Sequence, residues 1–257
     1  MKKKVTKIIS FANHKGGVGK TTSAVSVGTI LERMGYHVLL IDIDAQANLT
    51  SCLLKEVPEV TIYEALTGKI SHPYSVLPIQ VRPSLHLIPS SLQLAKVDME
   101  LVSAMERERK LQRLIEPIMD NYDFILIDCP PSLGIMTLNA FTVSNEIIIP
   151  MVAEVLPFKG LTMISDFIGS VRQYLNPAAH ITGILLTRWE NTNLSKHIET
   201  GLRSQLSDKV FATKIRKNVS LAEAPLEAKN IVEYAPKSKG ALDYLTFTEE
   251  ILKKLGQ

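Results

Sequence analysis

Apolar runs of strand length alternate with helical patterns along nearly the whole chain. Residues 7–12, 37–43, 85–88, 123–128, 146–151 and 180–187 read as strands. Val38-Leu39-Leu40-Ile41 is apolar without interruption, as expected of a strand covered on both faces. From about Thr21 the spacing changes to that of a helix. Ala24, Val25, Val27, Ile30, Leu31 and Met34 then share one broad face, and Gly35 is placed to end it. Further helices are predicted over residues 61–66, 105–119, 159–175, 194–206 and 241–255. Residues 56–101 carry Pro58, Pro73, Pro78, Pro83 and Pro89, which predicts loops and short helices there rather than a second domain. Strands alternating with helices imply an α/β fold: a doubly wound, mostly parallel β-sheet flanked by helices.

Composition agrees with one core. With 257 residues and 46% hydrophobic side chains, the chain can bury a sizeable interior without staples. No internal repeat or low-complexity tract interrupts it, so residues 1–257 are read as a single domain. Six residues precede the first strand, which leaves no space there for a separate DNA-reading module. Cys52 and Cys129 lie far apart and lack the spacing of a zinc site or a redox dithiol. Both are read as reduced thiols of a cytoplasmic protein. The basic start, Met1-Lys2-Lys3-Lys4, is followed by an apolar stretch of only residues 8–12, too short for an export signal. No segment approaches the roughly 20 apolar residues needed to span a bilayer.

The chemistry is concentrated after the first strand. Ile8-Ile9-Ser10-Phe11-Ala12 leads into Asn13-His14-Lys15-Gly16-Gly17-Val18-Gly19-Lys20-Thr21-Thr22 and then a helix. Glycines let backbone N–H groups curl around phosphate oxygens, and the helix N-terminus adds partial positive charge. Lys20 can reach the terminal phosphates of a nucleotide, and the Thr21 hydroxyl can ligate Mg²⁺. The standard pattern G-x-x-x-x-G-K-[ST] needs glycine where this chain has His14. Lys15-Gly16-Gly17-Val18-Gly19-Lys20-Thr21 fits K-G-G-x-x-K-[ST] instead, with a second lysine ahead of the glycines.

In this form the chain resembles the ParA/MinD family of deviant Walker A P-loop NTPases. Leu39-Leu40-Ile41-Asp42-Ile43-Asp44-Ala45-Gln46-Ala47-Asn48-Leu49-Thr50 is similar to the family's D-x-D-x-Q-x-N-x-[ST] element. Phe124-Ile125-Leu126-Ile127-Asp128-Cys129-Pro130-Pro131-Ser132 looks like a Walker B strand with the switch that follows it. Arg216-Lys217-Asn218-Val219-Ser220-Leu221-Ala222-Glu223-Ala224-Pro225 resembles a segment whose usual form is P-R-N-V-x-L-x-E-A-P, with Arg216 in place of the proline.

The resemblance implies an ATPase that uses ATP and Mg²⁺, with residues 15–22 as the nucleotide loop. Lys15, Lys20, Asp44 and Asp128 take the catalytic roles. Lys15 reaches across an ATP-sandwich homodimer to the partner's nucleotide, much as an arginine finger does; a solvated loop lysine is the alternative. Asp44 positions the attacking water, and Thr21, Asp44 and Asp128 supply Mg²⁺ ligands. Asp42 either joins this chemistry or bonds the backbone at its strand end. Lys217 and Asn218 are the candidates for contact with the adenine.

Between residues 209 and 239, Lys209, Lys214, Arg216, Lys217, Lys229, Lys237 and Lys239 outnumber Glu223, Glu227 and Glu233 by four. Such an excess attracts polyanions, and a solvated surface is the plainer reading. The resemblance implies ATP-dependent binding to nonspecific double-stranded DNA, with Arg188, Lys196, Arg203, Lys214, Arg216 and Lys217 as candidates. It also implies a ParB-like centromere-binding partner that stimulates hydrolysis, and a cytoplasmic protein that joins the nucleoid when ATP-bound. A MinD-like membrane relative would end in an amphipathic helix beyond the core; residues 249–257 read as ordinary packing, so no membrane is expected. A ParA-like ATPase that positions a non-DNA cargo is a further alternative. An electron-transfer relative would need cluster-ligating cysteines at a dimer axis, and Cys52 has no such context.

Overall fold

The computed structural model describes residues 5–153 and 157–256. The basic start at residues 1–4 lies outside them. Eight strands form one sheet: β1 (Lys7–Phe11), β2 (Val38–Asp42), β3 (Ile79–Arg82), β4 (Leu85–Ile88), β5 (Phe124–Asp128), β6 (Glu146–Val152), β7 (His180–Trp189) and β8 (Val210–Arg216). Their order is β3-β4-β2-β5-β1-β6-β7-β8. Only the edge pair β3 and β4 is antiparallel. The chain thus winds outward from β1 in both directions, as the sequence rhythm predicts.

The α-helices are α1 (Lys20–Arg33), α2 (Asn48–Leu53), α3 (Ile62–Leu66), α4 (Val97–Glu100), α5 (Lys110–Ile115), α6 (Ile135–Val143), α7 (Pro157–Tyr174), α8 (Asn193–Leu206), α9 (Ser220–Glu223), α10 (Ile231–Tyr234) and α11 (Lys239–Lys254). They cover the sheet from both sides because successive strand residues point to opposite faces. On one side Leu39, Ile41, Ile125, Ile127, Ile147 and Ile149 pack with Phe141 of α6 and Ile164 of α7. On the other, Leu40, Leu126, Ile148 and Leu185 pack with Val27 and Leu31 of α1 and Phe247 of α11. At Gly28 a β-carbon would lie 2.7 Å from Leu40 Cδ2. Glycine there lets α1 settle close onto β2.

The strands β3 and β8 and the helices α2, α6, α9 and α10 are not among the elements the sequence reading named, and one helix is shorter. β8 is a strand that the apolar pattern does not announce, because Thr213, Lys214 and Arg216 dilute it at a sheet edge. β3 lies within the proline-rich stretch, beside the short helices expected there. The helix predicted over 105–119 contracts to α5, preceded by a 3₁₀ turn at Arg107–Arg109. Glu106 adopts φ 51°, a left-handed conformation that a continuous helix cannot contain.

Candidate functional site

The C-terminal ends of β1, β2 and β5 meet at one level: Phe11 and Asp42 are both in register with Asp128. In open parallel sheets such ends border the ligand crevice. The loop between β1 and α1 lies here. Gly17 has φ 70° and Gly19 φ 87°, a region glycine enters without a steric penalty. The Asn13 side chain braces the turn: Nδ2 donates to the Pro150 carbonyl at 2.7 Å, and Oδ1 accepts from Lys15 N at 3.1 Å. His14, where the standard motif has glycine, packs against Gly160 of α7; a β-carbon there would overlap the imidazole at 2.0 Å. The bulk gained at His14 is thus matched by the absence of a side chain on the facing helix.

Two lysines of this loop have opposite surroundings. Lys15 is exposed, whereas Lys20 is buried and donates from Nζ to the Lys15 carbonyl at 3.0 Å. Burial pulls the Lys20 ammonium below its ordinary pKa, against the opposing attraction of Asp128, Cys129 and Asp44. Desolvated and near carboxylates, it is held for an anion that can replace its weak carbonyl partner.

The three aspartates have distinct environments. Asp42 is fully buried and accepts from Thr50 N at 2.9 Å, Thr50 Oγ1 at 2.8 Å and Asp44 N at 3.1 Å. Burial pushes its pKa up to about 6 despite these bonds. These contacts tie the end of β2 to the turn at Asp44 and to Thr50 of α2, in line with the backbone-bonding alternative of the sequence reading. Asp44 accepts from Gln46 N at 3.0 Å and lines the open cleft. Asp128 is fully buried and accepts from Thr21 Oγ1 at 2.6 Å through Oδ2. Its Oδ1 is buried without a hydrogen-bond partner among the described residues. Burial, with Asp42 adding like charge, raises its pKa well above the usual carboxylate value.

A cleft of about 780 Å³ opens over these groups. Of the residues expected there, Gly16, Gly17, Gly19, Lys20, Thr21, Thr22 and Asp44 line one part of it, and Lys217 and Asn218 another. Lys15 and Val18 are not among the lining residues; Val18 is buried. Asn218 Oδ1 accepts from Ser220 N at 2.8 Å, which fixes the amide at the cleft wall. The sequence reading missed Gln46, Asn48, Thr187, Leu221 and Tyr244, all lining residues. Gln46 and Asn48 belong to the quoted second element, and Thr187 ends a predicted strand; Tyr244 carried no signal.

The basic candidates differ in their surroundings. Arg188, Arg216 and Lys217 line the cleft itself. Arg216 is gripped by Asp243, its backbone N at 2.9 Å, Nε at 2.9 Å and a terminal nitrogen at 2.6 Å. Lys217 pairs with Glu190 at 3.1 Å. Arg203 donates to Glu199 and to the carbonyls of Val210 and Phe211, and so joins α8 to β8. Lys214 pairs with Glu199 at 2.7 Å and lies 4.4 Å above the Trp189 ring. Lys196 is exposed on α8.

Residues 6–181 match the model of a family described as an AAA domain. The chain is 40% identical over 252 residues to the chromosome-partitioning ATPase Soj of Treponema pallidum, covering 98% of this chain and 99% of that one. The chain belongs to the Soj/ParA family of partitioning ATPases. A second relative in this family, the sporulation initiation inhibitor protein Soj of Bacillus subtilis, is 40% identical over 248 residues, covering 95% of this chain and 98% of that one. Among solved structures, cobyrinic acid a,c-diamide synthase of Mycobacterium smegmatis, with bound ADP and magnesium, superposes with a TM-score of 0.85. It is 30% identical, covering 98% of this chain and 96% of that one. Its named activity differs, so this P-loop fold alone does not determine what the Soj/ParA site acts upon. Among the described residues no helix is long and apolar enough to cross a membrane. Cys52 and Cys129 are buried and free, with no disulfide between them.

Proposed function

We propose that this Soj/ParA-family ATPase, folded as a single domain, segregates a plasmid or chromosome by ATP-gated attachment to DNA. The observation that carries the reading is the contrast between the two loop lysines. Lys20 is buried among carboxylates, where it can serve the nucleotide of its own subunit. Lys15 is exposed beside it, where it can serve a second subunit.

Residues 15–22 hold the triphosphate of ATP through backbone amides and Lys20. Asp128 Oδ1, buried without a hydrogen-bond partner among the described residues and with the Thr21 hydroxyl near its carboxylate, fits a hard cation such as Mg²⁺. Thr21 and Asp128, with Asp44 nearby, would hold that ion, which supplies charge neutralisation at the phosphates when bound. Asp44 orients the attacking water, while Lys217 and Asn218 border the adenine. In the sandwich homodimer Lys15 of each subunit approaches the other's nucleotide and stabilises the charge that develops during transfer. The γ-phosphate favours the closed dimer, and its loss removes the contacts that biased closure.

The closed dimer binds duplex DNA without sequence preference, through exposed basic residues such as Lys196 and Arg188, in the cytoplasm on the nucleoid. A ParB-like partner then accelerates hydrolysis and releases it. Binding of random-sequence duplex, measured over several salt concentrations with and without ATP, tests the reading. A steep salt slope present only with ATP is the expected result. Binding to anionic vesicles, with none to DNA, would overturn it in favour of a membrane-positioning role.

A further inference from the structure

Thr187 ends the buried part of β7, far from the phosphate loop in sequence, and is 2% exposed. Its hydroxyl donates to the carbonyl oxygen of Val18 at 2.8 Å, with the Met151 carbonyl at 3.2 Å as a second acceptor. A hydroxyl has one proton to give, and the shorter contact is the one to the loop. On the same side, a β-carbon built on Gly19 would lie 3.5 Å from the Thr187 methyl. The hydroxyl thus bonds the Val18 carbonyl, and the methyl lies where it would meet any side chain placed at the next loop residue.

This contact fixes a peptide plane. The Val18–Gly19 bond is trans, so its C=O and N–H point in opposite directions. With the Val18 carbonyl drawn to Thr187, the Gly19 N–H faces away from it. Gly19, at φ 87°, has little steric resistance of its own to a flip of that peptide. A flipped peptide would present a carbonyl oxygen where an anion needs a donor. Packing gives no reason for a hydroxyl at this position, since valine suits a buried strand end as well as threonine does.

We infer that Thr187 is a positioning residue of the nucleotide site: its hydroxyl holds the Val18 carbonyl outward and thereby aims the Gly19 N–H at the phosphates. The inference rests on the reading of residues 15–22 as the phosphate loop.

Calorimetric titration with Mg-ADP of the full chain, its Thr187→Val and Thr187→Ser variants, and Lys20→Ala tests it. Thr187→Val is expected to weaken ADP binding about tenfold, the scale of one hydrogen bond. Thr187→Ser, which keeps the donor, should stay within about twofold of the parent on the same scale. A role confined to strand packing would not separate valine from serine in this way, since it would appear in the nucleotide-free melting midpoint. ADP affinity in Thr187→Val equal to the parent's, or serine as weak as valine, overturns the inference. Should valine not fold, Thr187→Cys, a feeble donor of similar size, makes the same comparison. If the unaltered chain itself fails to bind ADP, or Lys20→Ala binds normally, the phosphate-loop reading falls, and the inference with it.

Discussion

The Thr21 hydroxyl donates to Asp128 Oδ2 across 2.6 Å, and the other oxygen of that buried carboxylate has no hydrogen-bond partner among the described residues. A carboxylate whose pKa is raised by burial and by Asp42 is costly to keep ionised without a cation. The pair therefore has the form of a site completed by its ligands.

Asp128→Asn keeps an acceptor for Thr21 and removes the charge. Mg²⁺-dependent ATP turnover should fall roughly a hundredfold or more, the scale seen when a transition-state electrostatic contact is lost. Steady-state phosphate release over a range of Mg²⁺ concentrations checks this.

Lys15→Ala should leave nucleotide binding nearly intact, because Lys15 is exposed and the proposed contact within the subunit falls to buried Lys20. It should lose the ATP-dependent dimer. Size exclusion with light scattering, with and without ATP, reads this directly; an unchanged ATP-dependent dimer would rule out the crossing lysine.

Asp44→Ala should slow turnover by roughly two orders of magnitude and leave an ATP-bound dimer that persists. Asp44→Asn, which still accepts from Gln46 N, separates the chemical role from the turn. Single-turnover hydrolysis is the measurement, and parental rates in both variants would remove Asp44 from the mechanism.

Glu199 joins Arg203 of α8 to Lys214 of β8. Burial alone would raise its pKa, but hydrogen bonds from Lys214 and Arg203 outweigh that and hold it below the usual 4.5. A depressed carboxylate stabilises the fold above its unfolded value, and that contribution is lost as pH falls through the folded pKa. Glu199→Gln should therefore lower the melting midpoint by about 1–3 °C at pH 7. The difference should fade below about pH 4. A constant gap across this range would contradict the assignment.

The central strands and the site were legible for one physical reason: both are local in sequence. β1, β2 and β5 are apolar runs largely buried on both faces, and the candidate residues lie at β5's end or shortly after β1 and β2. The edges were harder. β8 has solvent on part of one face, so Thr213 and Lys214 interrupt its apolar pattern, and β3 becomes a strand only by pairing with β4. Thr187 and Tyr244 reach the cleft from 168 and 225 positions beyond Gly19, as their numbers give. Spacing within a motif cannot report such approaches. The basic residues were visible as charge, but their acids were not: Asp243 lies 27 positions from Arg216 and Glu199 15 from Lys214.

Gly28 sets a geometric reference for the whole site. Because α1 already rests on Leu40 with no side chain between them, its first turn, bearing Lys20 and Thr21, has no slack to sink toward the sheet. Any narrowing of the cleft around a ligand would therefore fall to the walls that face the loop, the turn at Asp44–Asn48 and the segment from Arg216 to Pro225.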